Sequence, residues 1–148
     1  MTKEQIKALI QTALSEMIPF NKVIGIRIVA FDDPAQIEFD MQDHLIGNSV
    51  SGILHGGVTA SALDFVGGMA AMSNVVSRTE KPETLRDQLA RMGTIDLRVD
   101  YIRGARGKKF VCIASVLRTG NKVAVTRMEM HNDKGVLVAA GTGTYIVG

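Results

Sequence analysis

The first eighteen residues carry one apolar stripe with the spacing of an α-helix. Its members are Ile6, Leu9, Ile10, Ala13, Leu14 and Met17. Thr2 followed by Gln5 fits a capping box, in which each side chain accepts a hydrogen bond from the backbone N–H of the other. Because Pro19 restricts the backbone before it, the pattern predicts an N-terminal helix within residues 1–18.

Alternation of apolar with polar residues predicts strands in the rest of the chain. Two strands are predicted around residues 24–28 and 37–41, with a turn at Asp32-Asp33-Pro34 between them and a polar loop at 44–51. Four more are predicted near the C-terminus, over residues 95–101, 110–117, 123–130 and 136–147. Since the turns between these four are short, we expect each strand to pair antiparallel with the next.

Residues 56–77 form a long segment in which Asp64 is the only charged residue. Its length would allow a membrane span, but its many Gly, Ser, Thr and Asn residues and the central carboxylate argue against one. The segment predicts a buried helix instead, thin enough for a curved sheet to approach its backbone closely. The next residues, 78–92, are charged and predict an excursion that contains a short helix.

This order of elements predicts an α+β fold, with strands wrapped about one buried helix in a single domain over residues 1–148. A chain of 148 residues with 46% hydrophobic residues can bury a core. The net charge of +2, without a clustered basic face, argues against nucleic-acid binding. One cysteine excludes an intrachain disulfide. The N-terminus lacks a signal-peptide pattern, so we expect a cytoplasmic protein.

The start of the predicted central helix carries the candidate chemistry. In His55-Gly56-Gly57, backbone N–H groups lie unscreened at the positive end of the helix, where they can hold a developing oxyanion. Asp64 follows two turns later; if buried, it needs hydrogen-bonding partners or a raised pKa, and in a cleft it can act as a general base. The alternative is a structural carboxylate beside an ordinary glycine-rich helix start.

Asn48, Gly52, His55-Gly56-Gly57 and Asp64 together resemble the hotdog-fold acyl-CoA thioesterases of the phenylacetate-type branch, within the 4-hydroxybenzoyl-CoA thioesterase superfamily. The resemblance continues through residues 94–102 and the hairpin at 120–124. It implies a curved antiparallel sheet around one long helix. It also implies hydrolysis of acyl-CoA to the free acid and coenzyme A, with no metal or cofactor.

The resemblance implies a role for each residue of the helix. Asp64 would be the general base or the nucleophile that acts on the acyl carbonyl. The Gly57 N–H would polarise the thioester oxygen, His55 would shape the turn, and Gly56 would contact the substrate. The family forms dimers, usually two to a tetramer, with sites at the dimer interface, so a homo-oligomer is expected.

Two further roles come from outside the helix. The resemblance implies that Asn48 orients the water or the carbonyl, although the family asparagine lies six residues before the histidine, where this chain has Ser49. It also implies that Thr94, contributed by the partner subunit, holds the attacking water. Strict alternation instead puts Thr94 on the charged face of its strand, with Asp96.

Other features leave two interpretations each. Arg103, Arg106 and Lys108 could meet the phosphates of coenzyme A, or belong to a solvated turn. The excursion at 78–92 could cover an acyl pocket or be a solvated loop. Apolar residues near Asp64 favour medium or long fatty acyl groups over small aromatic ones. The alternative function is a non-catalytic hotdog module that binds acyl-CoA. Cys112, in an apolar strand, predicts a buried, inert thiol.

Overall fold

One long helix packs against a six-stranded antiparallel sheet in the computed structural model, which describes all 148 residues. The helices are α1 (Lys3–Glu16), α2 (Pro19–Ile24), α3 (Gly56–Arg78) and α4 (Leu85–Ala90), with 3-10 turns at Asp43–Leu45 and Pro82–Thr84. The strands are β1 (Arg27–Ala30), β2 (Ala35–Asp40), β3 (Ile46–Asn48), β4 (Ile53–Leu54), β5 (Gly93–Tyr101), β6 (Lys109–Thr119), β7 (Val123–Asn132) and β8 (Leu137–Ile146).

The sheet has the strand order β1-β2-β6-β7-β8-β5, while β3 and β4 form a separate pair. The α+β architecture with one central helix is confirmed. The expectation that the last four strands pair in sequence is wrong for β5, which pairs with β8. Both edges of β6 are occupied, by β2 and β7, so β5 has no place beside it. β5 therefore lies at the edge of the sheet.

The N-terminal region contains one helix more than the pattern predicts. The capping box of Thr2 and Gln5 is formed, and α1 ends near the predicted limit. Pro19 then begins a new helix, because its fixed φ suits the first helical position. The strand expected over residues 24–28 is wrong at its start: Gly25, with φ of +82°, ends α2, and β1 begins only at Arg27. The polar loop at 44–51 contains β3.

The core lies between α3 and the sheet. Leu63 and Val66 are fully buried on α3, and Phe39 and Phe110 on the sheet stack with ring centroids 5.4 Å apart. The short helix expected in the excursion is present as α4, but Leu85 at its start is buried, so the excursion packs onto the body of the protein. No helix combines the length and apolar character required for a membrane crossing.

Close packing against α3 depends on its small residues, most clearly at Gly67. A Cβ there would lie 2.5 Å from the Tyr145 hydroxyl and 2.8 Å from the Thr126 hydroxyl, and both residues are buried. Alanine gains about 1 kcal/mol of helix propensity over glycine, but overpacking a core costs about 1–3 kcal/mol. We therefore expect Gly67→Ala to lower the free energy of unfolding by about 1 kcal/mol, measured by urea denaturation.

Gly68→Ala is the matched control for that substitution. Its Cβ would approach the Tyr145 ring no closer than 3.3 Å, so the gain in helix propensity offsets the tight contact. We expect the free energy of unfolding of Gly68→Ala to be no more than about 0.5 kcal/mol below that of the wild type. Equal destabilisation by both variants would contradict the close approach at Gly67.

Candidate active site

Asp64 lies on α3 with its carboxylate directed toward the start of β5. The Thr94 hydroxyl donates a hydrogen bond of 2.9 Å to Asp64 Oδ1. Asp64 is half-buried, not fully buried as its apolar sequence surroundings suggested. Of the two expected ways to accommodate this carboxylate, the structure provides a hydrogen-bonding partner. One oxygen of the carboxylate is held by Thr94, and the other has no partner within the chain.

The orientation of Thr94 departs from the alternation of its strand. The pairing register between β5 and β8 shifts between Thr94 and Asp96, which is the mark of a β-bulge. The extra residue, Ile95, turns Thr94 away from the face that carries Asp96 and toward α3. Thr94 therefore bonds Asp64 of the same chain, which corrects the expectation that the partner subunit supplies it. Gly93, just before it, is the sequence signal for an irregular strand start.

The first turn of α3 has a different free donor from the one expected. His55 is the N-cap residue, and its Nδ1 accepts a 2.8 Å hydrogen bond from the Gly57 N–H. The N–H groups of Val58 and Thr59 donate to the His55 carbonyl. The Gly57 N–H is thus occupied by the ring of His55, whereas the Gly56 N–H has no partner within the chain. Gly56, not Gly57, presents the donor that a substrate carbonyl could use.

Tyr101, at the end of β5, reaches the same helix start, which the sequence did not indicate. Its hydroxyl donates to the Gly56 carbonyl oxygen at 2.6 Å. The ring lies 3.2 Å from the position that a Cβ on residue 56 would occupy. Tyr101 thereby fixes the first peptide of α3 from the outside, and Gly56 leaves room for the ring.

Asn48 is the exposed last residue of β3, and Ser49 begins the exposed turn between β3 and β4, ahead of the helix start. The Asn48 Oδ1 accepts hydrogen bonds from the N–H groups of Val50 and Ser51, at 3.0 and 3.1 Å. The oxygen of Asn48 is therefore committed to its own loop, which leaves only its NH2 group to reach a ligand. Ser49 makes no side-chain hydrogen bond within the chain.

The basic turn after β5 packs beside this loop. Arg106 donates to the Ser51 carbonyl at 2.5 Å, and the backbone of Ala105 accepts from Leu54. Arg103 and Lys108 are exposed, and neither side chain takes part in an ion pair within the chain. Arg106 thus contacts the loop that precedes α3, while the backbone of Lys108 bonds Asp133. Cys112 is fully buried, as predicted, and burial raises the pKa of its thiol.

An apolar cleft of about 220 Å³ opens beside Asp64 and Thr94. Its wall comes from α1 and the segment after it, from α3, and from the end of the excursion. Its apolar lining residues are Leu14, Ile18, Phe65, Met69, Met72, Met92 and Tyr145. The last part of the excursion therefore forms a wall of the cleft through Met92, while its earlier part packs elsewhere.

The free donor and the carboxylate lie far apart within one chain. Gly56 and Asp64 are eight residues apart on one continuous helix, so at 1.5 Å per residue their backbones are separated by about 12 Å. A thioester carbonyl that accepts a hydrogen bond of about 3 Å from Gly56 lies well beyond the reach of Asp64 in the same chain.

A helix held by an antiparallel sheet, with a carboxylate at the mouth of an apolar cleft, is the arrangement of a hotdog-fold thioester hydrolase. The sequence profile of the thioesterase superfamily matches residues 51–139, which hold the helix start, Asp64 and Thr94. The chain therefore belongs to the thioesterase superfamily, and the family expected from the sequence is confirmed.

Relatives and solved structures agree with this assignment. The chain is 43% identical to medium/long-chain acyl-CoA thioesterase YigI of Escherichia coli and of Salmonella typhimurium, over all of this chain and 97% of each relative. A crystal structure from Shewanella oneidensis, related to the thioesterase superfamily, superposes with a TM-score of 0.94. It is 41% identical and covers 99% of this chain and 97% of its own. The chain is thus a thioester hydrolase by family and fold.

Proposed function

We propose that this protein hydrolyses medium- and long-chain fatty acyl-CoA to the free acid and coenzyme A. The observation that carries the proposal is the apolar cleft whose lining includes the hydrogen-bonded pair of Asp64 and Thr94. Seven of the eleven residues that line the cleft are hydrophobic, so the cleft offers apolar surface to an acyl chain. The name of YigI, which is 43% identical, refers to the same acyl lengths.

In the proposed reaction, Asp64 is the general base. The Thr94 hydroxyl donates to one carboxylate oxygen, and its own lone pairs can accept a hydrogen bond from a water beside the second oxygen. Asp64 takes a proton from that water as the water attacks the acyl carbonyl. The C–S bond then breaks, and the coenzyme A thiolate leaves with the proton that Asp64 took from the water, so Asp64 returns to the carboxylate. Direct attack by Asp64, followed by hydrolysis of the anhydride, would use the same groups.

The oxyanion donor is proposed to come from a second copy of the chain. The separation of about 12 Å along one helix prevents Gly56 and Asp64 of one chain from acting on one carbonyl. β5 leaves one edge of the sheet unpaired, and Ile95 on it is 52% exposed, which favours pairing with another copy. We therefore propose a homodimer with shared sites, two of which would form the expected tetramer. A cytoplasmic location remains an expectation from the sequence.

Coenzyme A is proposed to lie over the start of α3 with its phosphates on the basic turn. Arg103 and Lys108 are exposed and form no ion pair within the chain, although Asp133 lies near Lys108. Arg106 is anchored to the loop that precedes the helix start. Guanidinium and ammonium groups are the usual partners of phosphate oxygens. Asn48 is proposed to contact the same ligand through its NH2 group, with Ser49 beside it.

The dependence of kcat/KM on acyl-chain length tests whether the cleft is the acyl-binding site. Leu14 lines the cleft, so we expect Leu14→Trp to fill part of it and to lower kcat/KM for palmitoyl-CoA relative to hexanoyl-CoA. Since each buried methylene contributes about 0.8 kcal/mol, excluding two of them lowers that ratio about tenfold. Thiol release from a series between butanoyl-CoA and stearoyl-CoA measures the effect.

Leu9→Trp is the matched control, because Leu9 lies on the same helix but is 57% exposed and outside the cleft. It should leave the chain-length preference unchanged. If the wild type releases no thiol from any acyl-CoA, hydrolysis is contradicted. The alternative function, a non-catalytic module that binds acyl-CoA, would then remain. An unchanged length preference in Leu14→Trp would contradict the cleft as the acyl site.

A further inference from the structure

Tyr145, on β8, occupies a slot under α3 that glycine residues leave open. It is 3% exposed, and its ring and hydroxyl lie where a Cβ at Gly67, Gly68 or Gly143 would approach. The hydroxyl would be only 2.5 Å from a Cβ on Gly67 or on Gly143. The Tyr145 side chain thus fits beneath α3 because glycine occupies the neighbouring positions, where a larger residue would clash with it.

The hydroxyl of Tyr145 donates a 3.0 Å hydrogen bond to the backbone carbonyl of Asp64. Within a helix that carbonyl normally accepts from the N–H four residues later. Because a carbonyl oxygen has two lone pairs, it can accept the phenol as well. The bond fixes the backbone of Asp64 relative to the sheet.

Tyr145 also stands opposite the other member of the pair. In the ladder between β5 and β8, Tyr145 is the direct partner of Thr94, at the last position before the bulge. One residue is therefore tied to Asp64 by its side chain and to Thr94 by strand pairing. Both partners of the 2.9 Å hydrogen bond are positioned from the same point of the sheet.

We propose that Tyr145 is a positioning residue for hydrolysis, and that its hydroxyl holds the carboxylate of Asp64 in register with Thr94. The proposal rests on the proposed role of Asp64. Displacements of an ångström or less between reacting groups are costly in rate. Loss of the hydroxyl should therefore reduce the rate of the chemical step while leaving the apolar wall of the cleft in place.

The surroundings of Tyr145 favour positioning over proton transfer. Burial, and then the charge of Asp64, raise the pKa of the phenol. The phenol therefore stays protonated, and stays a donor, throughout the pH range of an assay. It does not exchange a proton with the substrate, so its influence on the rate has to pass through Asp64.

Tyr145→Phe tests the proposal, because it removes one oxygen and keeps the ring in its slot. We expect kcat for a medium-chain acyl-CoA to fall about tenfold, with KM changed by less than about twofold. In a double-mutant cycle, Thr94→Ala should lose little further activity when Tyr145→Phe is added, because the two residues act on one geometry. Assays are run well below the melting temperature of each variant.

Ser73→Ala is the matched control, since it likewise removes one buried hydroxyl. The Ser73 hydroxyl lies on α3 and donates a 3.0 Å hydrogen bond to Asp32 Oδ1. It should lower stability without lowering kcat. An unchanged kcat in Tyr145→Phe, a variant that does not fold, or a loss that adds independently to Thr94→Ala would each overturn the proposal. If Asp64→Asn is inactive and Tyr145→Phe is fully active, only this inference fails. If Asp64→Asn is active, the proposed role of Asp64 fails, and with it this inference. The proposed function fails only if the wild type releases no thiol from any acyl-CoA.

Discussion

Asp64→Asn is expected to lower kcat for acyl-CoA hydrolysis by about 10²–10⁴-fold, the usual contribution of a positioned general base. Asparagine has nearly the same volume, and its carbonyl oxygen can still accept the 2.9 Å hydrogen bond from Thr94. What it loses is the ability to take a proton from water. The variant should therefore fold and bind substrate normally, which thermal denaturation and KM check separately from kcat.

Asp87→Asn controls for the change of charge. Asp87 is an exposed residue of α4, outside the cleft, so the same substitution there should leave kcat within about twofold of the wild type. If Asp64→Asn keeps the activity of the wild type, Asp64 is neither base nor nucleophile. If both variants lose activity alike, the effect is one of net charge.

The positions of the six strands of the main sheet could be predicted from the sequence, apart from the start of β1, but not all of their partners, and the short strands β3 and β4 were missed. Alternation along residues 95–101 reports that one face is apolar, and this holds wherever the strand lies in the sheet. It does not report which strand lies beside it. β5 pairs with β8 because β2, distant in sequence, occupies the edge of β6. Pairing between distant segments is a tertiary property that local periodicity does not encode.

For the same reason, only some residues of the site could be predicted from the local sequence. Asp64 can be recognised from its neighbours in sequence, because it is the only charged residue of a long segment. The two glycines after His55 can be recognised too, because they leave the N–H groups at the helix start without side chains over them. The direction of Thr94 depends on a bulge at Ile95, which breaks the alternation used to predict it. The choice between Gly56 and Gly57 depends on the rotamer of His55, whose ring takes the Gly57 N–H. The backbone carbonyl that Tyr145 contacts has no sequence signature.

Gly56→Pro is expected to lower kcat by about 10²–10³-fold, because it removes the N–H proposed to hold the oxyanion. Proline suits the first position of a helix, where its missing N–H breaks no intrahelical bond. The residue before it, His55, already has the extended backbone that proline requires, with φ of −60° and ψ of 130°. Gly56→Ala keeps the N–H while adding a side chain against Tyr101, so the difference in kcat between the two variants isolates the donor.

Mixing Gly56→Pro with Asp64→Asn subunits tests whether the donor and the base come from different chains. Each variant alone should be inactive. In a mixed dimer of the proposed kind, one site combines both defects and the other has an intact Gly56 from one chain and an intact Asp64 from its partner. Random pairing makes about half of the dimers mixed, so about a quarter of the wild-type activity should return. If no activity returns although mass spectrometry detects mixed dimers, the donor and the base do not come from different subunits. The separation of about 12 Å along α3 would then require another donor near Asp64.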